Sequence, residues 1–533
     1  MFAPSNRLSR ARTAGRIASS IARILMIMAI LIKLPQTLGE LRNSEWTPDR
    51  VSRSVKDELR DNLIVKLRAK EHIFPGIVGY EDTVVPQIVN AVLSRHNFIL
   101  LGLRGQAKSR ILRGLTTLLD PIIPYVAGSE IRDNPYKPLS QYSRDLLAAK
   151  GDDTPIAWLT PDERYVEKLA TPDVTVADLI GDVDPIKAAR SGQQLSSELT
   201  MHYGLLPRAN RGIFAVNEVP DLAGKIQVAL FNIMQEGDVQ IKGYPVRLQL
   251  DVAITFSANP EDYTARGKIV TPLKDRIGSE IRTHYLDSIE QAMSVTQQEA
   301  WSTRAASDIH VPRYIREIVE GIAFAAREDK RVDKRSGVSQ RLPISTMELV
   351  ISNAERRALL HGETLAVPRV GDIYSSLPGI TGKIELEYEG EMRGADTVVR
   401  EIIRTAVQRT FDTYFSGVNT QQIEEWFNLG GTVQLSDAVP AEQSMKELQQ
   451  IQGLFDKLKP LGIEKRAGDE VLVSAAEFLL EGMTAHKRIS RSEERSFTAA
   501  EKQTRKERAQ NFNEEIRDRE REDARSRTKR GFN

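Results

Sequence analysis

Short runs of mostly apolar residues, each ending in polar side chains, predict buried strands at three places in the chain. They cover residues 96–101, 213–216 and 252–259, and apolar runs of this length are typical of strands that are covered on both faces. Apolar and polar residues alternate on either side of Gly243, which predicts a β-hairpin over 237–250. The pattern therefore predicts a sheet with a hairpin inserted before its last apolar strand.

Apolar residues spaced three and four apart predict helices in much of the remaining chain. Ser54 followed by Asp57 is typical of a helix N-cap. One face of the helix that follows would carry Leu59, Leu63, Ile64 and Leu67. The same apolar pattern resumes over 84–93, and further helices are predicted over 223–235, 344–361, 445–458 and 471–480. Segment 383–416 begins with alternating residues at 384–388 and is predicted to continue as an amphipathic helix. Buried strands separated by helices indicate an α/β fold.

Two stretches depart from this regular pattern. Residues 120–210 are rich in Pro, Asp and Gly, and we expect insertions there with only short strands. From Lys487 onward apolar residues almost vanish while Lys, Arg and Glu mix densely, which predicts a solvated helix or a disordered tail. Because acidic residues cancel most of the basic charge in this tail, no clear nucleic-acid site is predicted.

Composition narrows the possible functions. The 533 residues are enough for about three or four domains. The formal net charge is +1, so overall charge gives no argument for a nucleic-acid or lipid partner. The chain has no cysteine, which excludes disulfides, thiolate metal sites and cysteine nucleophiles and fits a cytoplasmic location.

The N-terminal segment contains an unbroken apolar run at 24–32 behind five arginines, a pattern shared with signal peptides. The run is shorter than the about 20 residues that a membrane-spanning helix needs. No cleavage pattern of small residues follows it. We therefore expect no transmembrane helix, and favour a translation start at Met26 or Met28 over a secretion signal.

Residues 100–109 read Leu-Leu-Gly-Leu-Arg-Gly-Gln-Ala-Lys-Ser and complete the first predicted strand. This order is typical of a Walker A loop, G-x-x-x-x-G-K-[ST], whose backbone N–H groups, lysine and hydroxyl bind phosphates and Mg²⁺. The predicted binding residues are Gly102, Leu103, Arg104, Gly105, Gln106, Ala107, Lys108 and Ser109. Ala107 stands where the motif has its last glycine, and its β-carbon restricts the backbone there. A glycine-rich turn that binds nothing is the alternative for this segment taken alone.

The second and third apolar strands also end in polar residues. Asn217 and Glu218 follow the second strand, at the place where nucleotide-hydrolysing sheets present acidic groups to Mg²⁺ and to the attacking water. Asn217 can accept a hydrogen bond from a metal-bound water but carries no charge, so Mg²⁺ should bind more weakly than with aspartate. Glu218 is a candidate to activate water, and Asn259 a candidate to contact the γ-phosphate. Strand ends that simply enter loops would explain the same residues.

Five polar positions follow one another in an order that resembles the AAA+ ATPases: Lys108-Ser109, Asn217-Glu218, Asn259, Arg276 and Arg341. The resemblance is closer to the clade that holds the magnesium-chelatase I subunits and the MoxR ATPases. Four segments carry it, namely the Gly-Leu-Leu…Ala-Asn-Arg-Gly of 204–212, the hairpin of 237–250, the Asn-Pro-Glu of 259–261 and the Leu-Lys-Asp-Arg-Ile of 273–277. The resemblance covers about residues 70–376.

This resemblance implies an AAA+ three-layer core with a parallel sheet and a hairpin before sensor 1, followed by a small helical lid. The implied segments are a leader and lead-in helix at 1–70, the core at 71–280, the lid at 281–376, a mostly helical extension at 377–486 and the charged tail at 487–533. ATP and Mg²⁺ are the implied cofactors. Lys108, Ser109 and Asn217 would bind them.

The resemblance also implies catalytic roles for residues outside the loop. Glu218 would polarise water and Asn259 would sense the γ-phosphate. Arg276, on a predicted turn, would act as a finger in the neighbouring subunit's site, and Arg341 would be the sensor-2 arginine. Such fingers stabilise charge on the transferred phosphoryl group and supply about 10³–10⁵ in rate. The departures are Ala107, Asn217 and Ile277, the last standing for phenylalanine.

We therefore expect a ring-forming ATPase, a hexamer, that couples ATP hydrolysis to remodelling or metal-cofactor loading of a partner protein, in the manner of a MoxR chaperone or a chelatase subunit. A true magnesium-chelatase subunit of chlorophyll synthesis is one alternative. A nucleotide-binding scaffold that has lost catalysis is another, because of Ala107 and Asn217. A sigma-54 activator is disfavoured because its Gly-Ala-Phe-Thr-Gly-Ala loop is absent. The chain also lacks the metal motif of von Willebrand A domains, so a partner with that domain would be a separate protein.

Overall fold

The computed structural model describes residues 34–500 except 193, 195–196, 242–246, 261–267, 305–307, 465 and 493–495. The chain divides into two compact units between Tyr285 and Leu286. The apolar run at 24–32, with Met26 and Met28, lies outside the described residues, as does the tail beyond residue 500. Within the described part, no helix is long and apolar enough to cross a bilayer.

Strands and helices alternate through the first unit. Its strands are β1 (Phe98–Leu101), β2 (Ile123–Val126), β3 (Ile156–Leu159), β4 (Tyr165–Leu169), β5 (Gly181–Val183), β6 (Met201–Tyr203), β7 (Gly212–Asn217), β8 (Asp238–Gln240), β9 (Arg247–Gln249), β10 (Val252–Ala258) and β11 (Ser279–Arg282). Its α-helices are α1 (Leu38–Arg42), α2 (Pro48–Val51), α3 (Val55–Arg68), α4 (Val84–Leu93), α5 (Lys108–Gly114), α6 (Gln141–Lys150), α7 (Val176–Leu179), α8 (Pro185–Ser191), α9 (Leu205–Arg208), α10 (Gly224–Ala229), α11 (Phe231–Glu236) and α12 (Thr271–Arg276). Short 3₁₀ turns cover Leu115–Leu118, Gly151–Asp153, Glu198–Thr200 and Val219–Asp221.

A five-stranded sheet forms the centre of this unit, in the spatial order β11-β1-β10-β7-β4. Each neighbouring pair runs parallel. The carboxyl ends of all five strands therefore meet at one edge of the sheet, which is where ligands bind in open α/β folds. The prediction of an α/β fold with a parallel sheet is confirmed.

Helices cover both faces of the sheet, which gives the unit three layers. On one face Ile213 and Ala215 of β7 pack in a cluster with Leu63 of α3 and with Ile111 and Leu112 of α5. On the other face Phe214, Val216 and Phe256 belong to a second cluster. Because successive strand residues point to opposite faces, each buried strand contributes to both clusters.

The lead-in helix forms as its sequence predicts. The Ser54 side chain accepts a hydrogen bond of 3.1 Å from the Asp57 backbone N–H, which satisfies one of the free donors at the start of α3. Leu59 and Leu63 are buried beneath the sheet, whereas Leu67, predicted on the same face, is 40% exposed. The hairpin before β10 is also confirmed, because β8 and β9 pair antiparallel. Its turn at 242–246 lies outside the described residues.

Several local predictions for the first unit were wrong. β4 lies in the stretch expected to hold only short inserted strands, yet it forms the edge of the main sheet next to β7. An edge strand is buried on less of its surface, and its sequence Tyr-Val-Glu-Lys-Leu is correspondingly mixed rather than apolar. The helix predicted at 223–235 is divided at Leu230 into α10 and α11, and Arg276 ends a short helix rather than lying on a turn.

The second unit is mostly helical. Its α-helices are α13 (Ile289–Glu299), α14 (Arg313–Glu328), α15 (Arg341–His361), α16 (Val370–Ser375), α17 (Leu377–Thr381), α18 (Tyr388–Arg393), α19 (Ala395–Phe415), α20 (Gln421–Asn428), α21 (Ala441–Leu448) and α22 (Asp469–Ala485), with a 3₁₀ turn at Phe455–Leu461. Its strands are β12 (Asp308–Ile309), β13 (Leu365–Ala366), β14 (Val433–Gln434), β15 (Ile489–Arg491) and β16 (Ser496–Ala499).

The start of the predicted tail is folded. β15 and β16 pair antiparallel, and β16 also pairs with β14. Ile489 is 2% exposed and Phe497 is 1% exposed, so both belong to the core of the second unit. The prediction of a solvated helix or a disordered tail was wrong for these residues, because two well-spaced apolar side chains are enough to hold a short strand pair against a helical core.

Candidate nucleotide site

The backbone of the loop between β1 and α5 is left-handed at two positions. Gly105 has φ +74°, and Ala107 has φ +55° and ψ +13°. Both lie in the left-handed region, and such residues bend consecutive N–H groups into a concave surface that suits anions. Ala107, which replaces the last glycine of the motif, therefore stands at a position with a left-handed backbone.

Lys108 is folded into its own loop. Its side chain is buried, and Nζ donates hydrogen bonds to the carbonyl oxygens of Gly102 and of Leu103, the latter at 3.1 Å. A Cβ at position 102 would overlap Thr283 Oγ1 and Gln106 Oε1, so glycine is required there. The ammonium group thus lies inside the loop, while Ser109 is exposed at the start of α5.

Residues from distant segments support the loop, and sequence reasoning missed them. Thr283 follows β11 and donates a hydrogen bond of 2.7 Å to Gln106 Oε1. Tyr80 Oη donates to the carbonyl oxygens of Gln106 at 3.2 Å and His284 at 2.6 Å. Burial raises the pKa of Tyr80, so its hydroxyl stays protonated as a donor. These contacts depend on the parallel pairing of β11 with β1 and leave no local motif.

Asn217, at the end of β7, bridges three strands. Its Nδ2 donates to Glu167 Oε1 on β4, and its Oδ1 accepts a hydrogen bond of 2.8 Å from Ser257 Oγ on β10. Asn217 is 7% exposed. Glu167 also forms an ion pair of 2.7 Å with Arg113 of α5. The next residue, Glu218, has φ +56°, another left-handed position, so the chain turns sharply where the sheet ends.

Asn259 lies directly after β10, between the loop and the Asn217-Glu218 turn. Its side chain is 4% exposed, and its Oδ1 is buried with no hydrogen-bond partner among the described residues. A buried acceptor of this kind costs free energy unless a water or a ligand supplies a donor. The structure therefore leaves an unused polar atom at the sheet edge.

The two predicted arginines lie in different units. Arg276 ends α12, with Nη1 donating to the Pro272 carbonyl at 2.8 Å and its guanidinium 4.9 Å from the Phe231 ring centre. Within the described part of the chain no carboxylate forms an ion pair with it. Arg341 is exposed at the first residue of α15, in the second unit.

Three of the predicted motifs therefore meet at one sheet edge. Leu101 of β1 pairs with Ala258 of β10, and Phe256 of β10 pairs with Val216 of β7. This register places the Walker A loop, Asn259 and the Asn217-Glu218 turn at the ends of adjacent strands. Among the described residues, no cluster of three or more His, Asp and Glu side chains could hold a metal alone. A Mg²⁺ ion would need phosphate oxygens as additional ligands, which is how proteins usually bind it.

Subunits of magnesium chelatase are similar to this chain. It is 24% identical over 337 residues to the magnesium-chelatase 38 kDa subunit of Chlorobaculum parvum, a match that covers 60% of this chain and 88% of that subunit. The chain is an AAA+ ATPase related to the magnesium-chelatase I subunits. This AAA+ ATPase is also 27% identical over 240 residues to the ChlI subunit of a Nostoc species, covering 44% of the chain and 60% of that subunit.

Other comparisons of this AAA+ ATPase are less informative. No family model matches the chain. A cryo-EM-based structure of the BchI–BchD complex of magnesium chelatase matches with 21% identity and a TM-score of 0.33, covering 60% of this chain and 98% of that one. The fold assignment therefore depends on the strand order and on the sequence relatives.

ATP with Mg²⁺ is the nucleotide that an AAA+ ATPase of this group uses. The residues at the sheet edge fit it, because the loop offers N–H groups, the Lys108 ammonium and the Ser109 hydroxyl, while Asn259 Oδ1 has a free lone pair. When bound, Mg²⁺ neutralises phosphate charge in the transition state. Ser109 and Asn217 are the protein groups at this edge of the sheet that would hold the ion.

Proposed function

We propose that this AAA+ ATPase assembles into a cytoplasmic ring, a hexamer, and couples ATP hydrolysis to remodelling or metal-cofactor loading of a partner protein. The observation that carries the proposal is the convergence of the Walker A loop, Glu218 and Asn259 at the ends of adjacent strands. Lys108 and Ser109 bind the phosphates, Glu218 orients and activates water, and Asn259 contacts the γ-phosphate. Both a MoxR-like chaperone and a chelatase-like partner subunit are compatible with this site.

The contacts of Arg276 are an argument for the proposed ring. An arginine without a carboxylate partner in the described residues, held by a backbone carbonyl and an aromatic ring, keeps its charge available for another molecule. We propose that it completes the site of the adjacent subunit, and that Arg341 contacts the nucleotide as the sensor-2 arginine. The partner that couples hydrolysis to work would carry its von Willebrand A domain on a separate chain.

The catalytic role of Glu218 is tested by Glu218→Gln. We expect this variant to bind ATP·Mg²⁺ in isothermal titration with unchanged affinity and to lose phosphate release by at least about 100-fold, because general-base catalysis contributes about 10²–10⁴. Glu280→Gln is the matched control, since it removes an ion-paired carboxylate from the opposite edge strand of the same sheet. Undiminished turnover in Glu218→Gln would contradict the assigned mechanism.

The ring is tested by mixing two inactive variants. In a ring with the finger in trans, an Arg276→Ala subunit keeps its own Glu218 and can receive Arg276 from a Glu218→Gln neighbour. Mixed subunits should then regain part of the activity that each variant alone has lost. Activity that stays absent in all mixtures, while native mass spectrometry shows mixed assemblies, would contradict the role of Arg276.

A nucleotide-binding scaffold without catalysis is the second candidate function. Two observations favour it, namely the left-handed alanine at position 107 and the neutral amide at position 217. ATP binding without phosphate release by the unaltered protein would select the scaffold.

A further inference from the structure

A carboxylate lies beside the position where an acidic residue is missing. Glu167 of β4 accepts a hydrogen bond from Asn217 Nδ2, and the two residues are 50 positions apart in the chain. Asn217 in turn accepts from Ser257 of β10. The neutral amide at the end of β7 is therefore hydrogen-bonded to a negative charge on the next strand.

The sheet register places this carboxylate on the face that carries the nucleotide-binding helix. Glu167 pairs with Ala215, and Leu169 pairs with Asn217. Since side chains alternate along a strand, Glu167, Ala215 and Asn217 share one face. Ala215 packs in the same cluster as Ile111 and Leu112 of α5, whose first turn carries Ser109. Glu167 and Asn217 thus share this face with the helix that begins at the phosphate-binding loop.

We propose that Glu167 supplies the negative charge for Mg²⁺ that Asn217 lacks, and that it acts through the amide of Asn217 as a positioning residue. This inference rests on the proposed function. The carboxylate fixes which end of the amide is Oδ1, since only Nδ2 can donate to it. Ser257 occupies one lone pair of Oδ1, which leaves the other for a metal-bound water. Hydrogen bonds in such a chain polarise one another, so the charge on Glu167 strengthens Oδ1 as an acceptor.

Arg113 opposes this effect. Its guanidinium lies 2.7 Å from Glu167 Oε2, and its side chain is 67% exposed. As a cation bound to the same carboxylate, it weakens the attraction of Glu167 for a divalent ion. Removing the Arg113 charge should therefore tighten metal binding, whereas removing the Glu167 charge should loosen it.

The test measures Mn²⁺ binding in the presence of ATP by electron paramagnetic resonance of free Mn²⁺, with ATP binding in EDTA measured separately. Glu167→Gln should weaken Mn²⁺ binding by about 10- to 100-fold, the range for residues that orient a metal ligand. ATP binding in EDTA should stay within about twofold, because the loop is untouched. Glu280→Gln, on the opposite edge strand, should leave both values unchanged.

Two further variants keep the test decisive if Glu167→Gln folds poorly. One moves the negative charge from position 167 to position 217, and the other is expected to change Mn²⁺ affinity in the opposite direction. Asn217→Asp alone would place two carboxylates in contact and should lower the melting temperature. Combining it with Glu167→Gln restores a donor to the pair and should return Mn²⁺ affinity to at least the unaltered value. Arg113→Gln, at an exposed position, should tighten Mn²⁺ binding.

Two results would overturn the inference in distinguishable ways. If Glu167→Gln and Arg113→Gln bind Mn²⁺·ATP like the unaltered protein, the inference is wrong while the proposed function stands. If the unaltered protein binds no ATP in EDTA or with Mn²⁺, the proposed function is wrong and this inference fails with it.

Discussion

Replacing Ala107 by glycine isolates the conformational cost of the altered loop. Ala107 has φ +55° and ψ +13°, a left-handed conformation that costs a residue with a β-carbon roughly 1–2 kcal/mol relative to the ordinary helical region. Glycine adopts it without that cost but has more freedom in the unfolded chain, which returns about 0.4–1 kcal/mol. Ala107→Gly should therefore stabilise the first unit by about 0.5–1 kcal/mol.

Calorimetry of the full chain is the measurement. For a unit of this size, about 1 kcal/mol corresponds to about 2–4 °C, so the transition of the first unit should rise by about 1–4 °C. Ala149→Gly is the matched control, because Ala149 is exposed in α6 of the same unit, where glycine costs up to about 1 kcal/mol. The control should lower the same transition.

Nucleotide affinity should respond differently from stability. If the loop keeps this backbone when ATP binds, the cost of the left-handed alanine is present in both states and cancels. The dissociation constant for ATP should then change by no more than about twofold in Ala107→Gly. A transition that falls, as in Ala149→Gly, would refute the strain argument, and a large gain in affinity would show that the loop changes conformation on binding.

Two further predictions concern buried charges. Burial raises the pKa of Glu320 to about 7, above the value of about 4.5 in the unfolded chain. The contribution of Glu320 to the free energy of unfolding should therefore be complete below pH 4.5 and decrease by up to about 3 kcal/mol as the pH rises through 7. Glu320→Gln should flatten the plot of the second unit's melting temperature against pH between pH 5 and 8, and parallel plots for the variant and the unaltered protein would contradict this. Arg164 Nη1 and Nη2 donate to the two oxygens of Glu58 at 2.6 Å each, with both side chains buried, so Arg164→Met should cost about 3–5 kcal/mol in urea unfolding. The double variant with Glu58→Gln should cost less than the sum of the single changes, and strict additivity would argue against the pair.

Fold prediction from sequence succeeded where strands are buried on both faces. The apolar runs that became β1, β7 and β10 are central in the sheet, so their side chains are apolar throughout and visible as a pattern. β4 and β11 are the edge strands, and residues such as Glu167 and Glu280 are polar because one side of an edge strand meets solvent. Hydrophobicity alone does not mark such strands, and their place in the sheet depends on pairing with distant neighbours.

The residues of the candidate site also fall into two groups, those that a local sequence pattern reveals and those that it does not. The loop, Asn217-Glu218 and Asn259 are recognisable because each is a short local pattern at the end of an apolar strand. Thr283 and Ser257 are not, because each contacts the site through the order of strands in space. Tyr80 is not either, because it reaches the loop from an irregular segment before α4. The sequence predicts only that the β-carbon of Ala107 restricts the backbone. The structure shows that φ is positive at this residue, and this sign sets the free-energy cost.

Asn217 and Glu167 constrain each other, which changes what the missing aspartate means. An aspartate at position 217 could not donate to Glu167 and would repel it, whereas asparagine donates to Glu167 and still accepts from Ser257. The residue that looks like a lost acid in the sequence is thus the residue that a carboxylate on β4 requires. On our proposal the acidic charge has moved one strand across the sheet, and hydrolysis would depend on the pair rather than on position 217 alone.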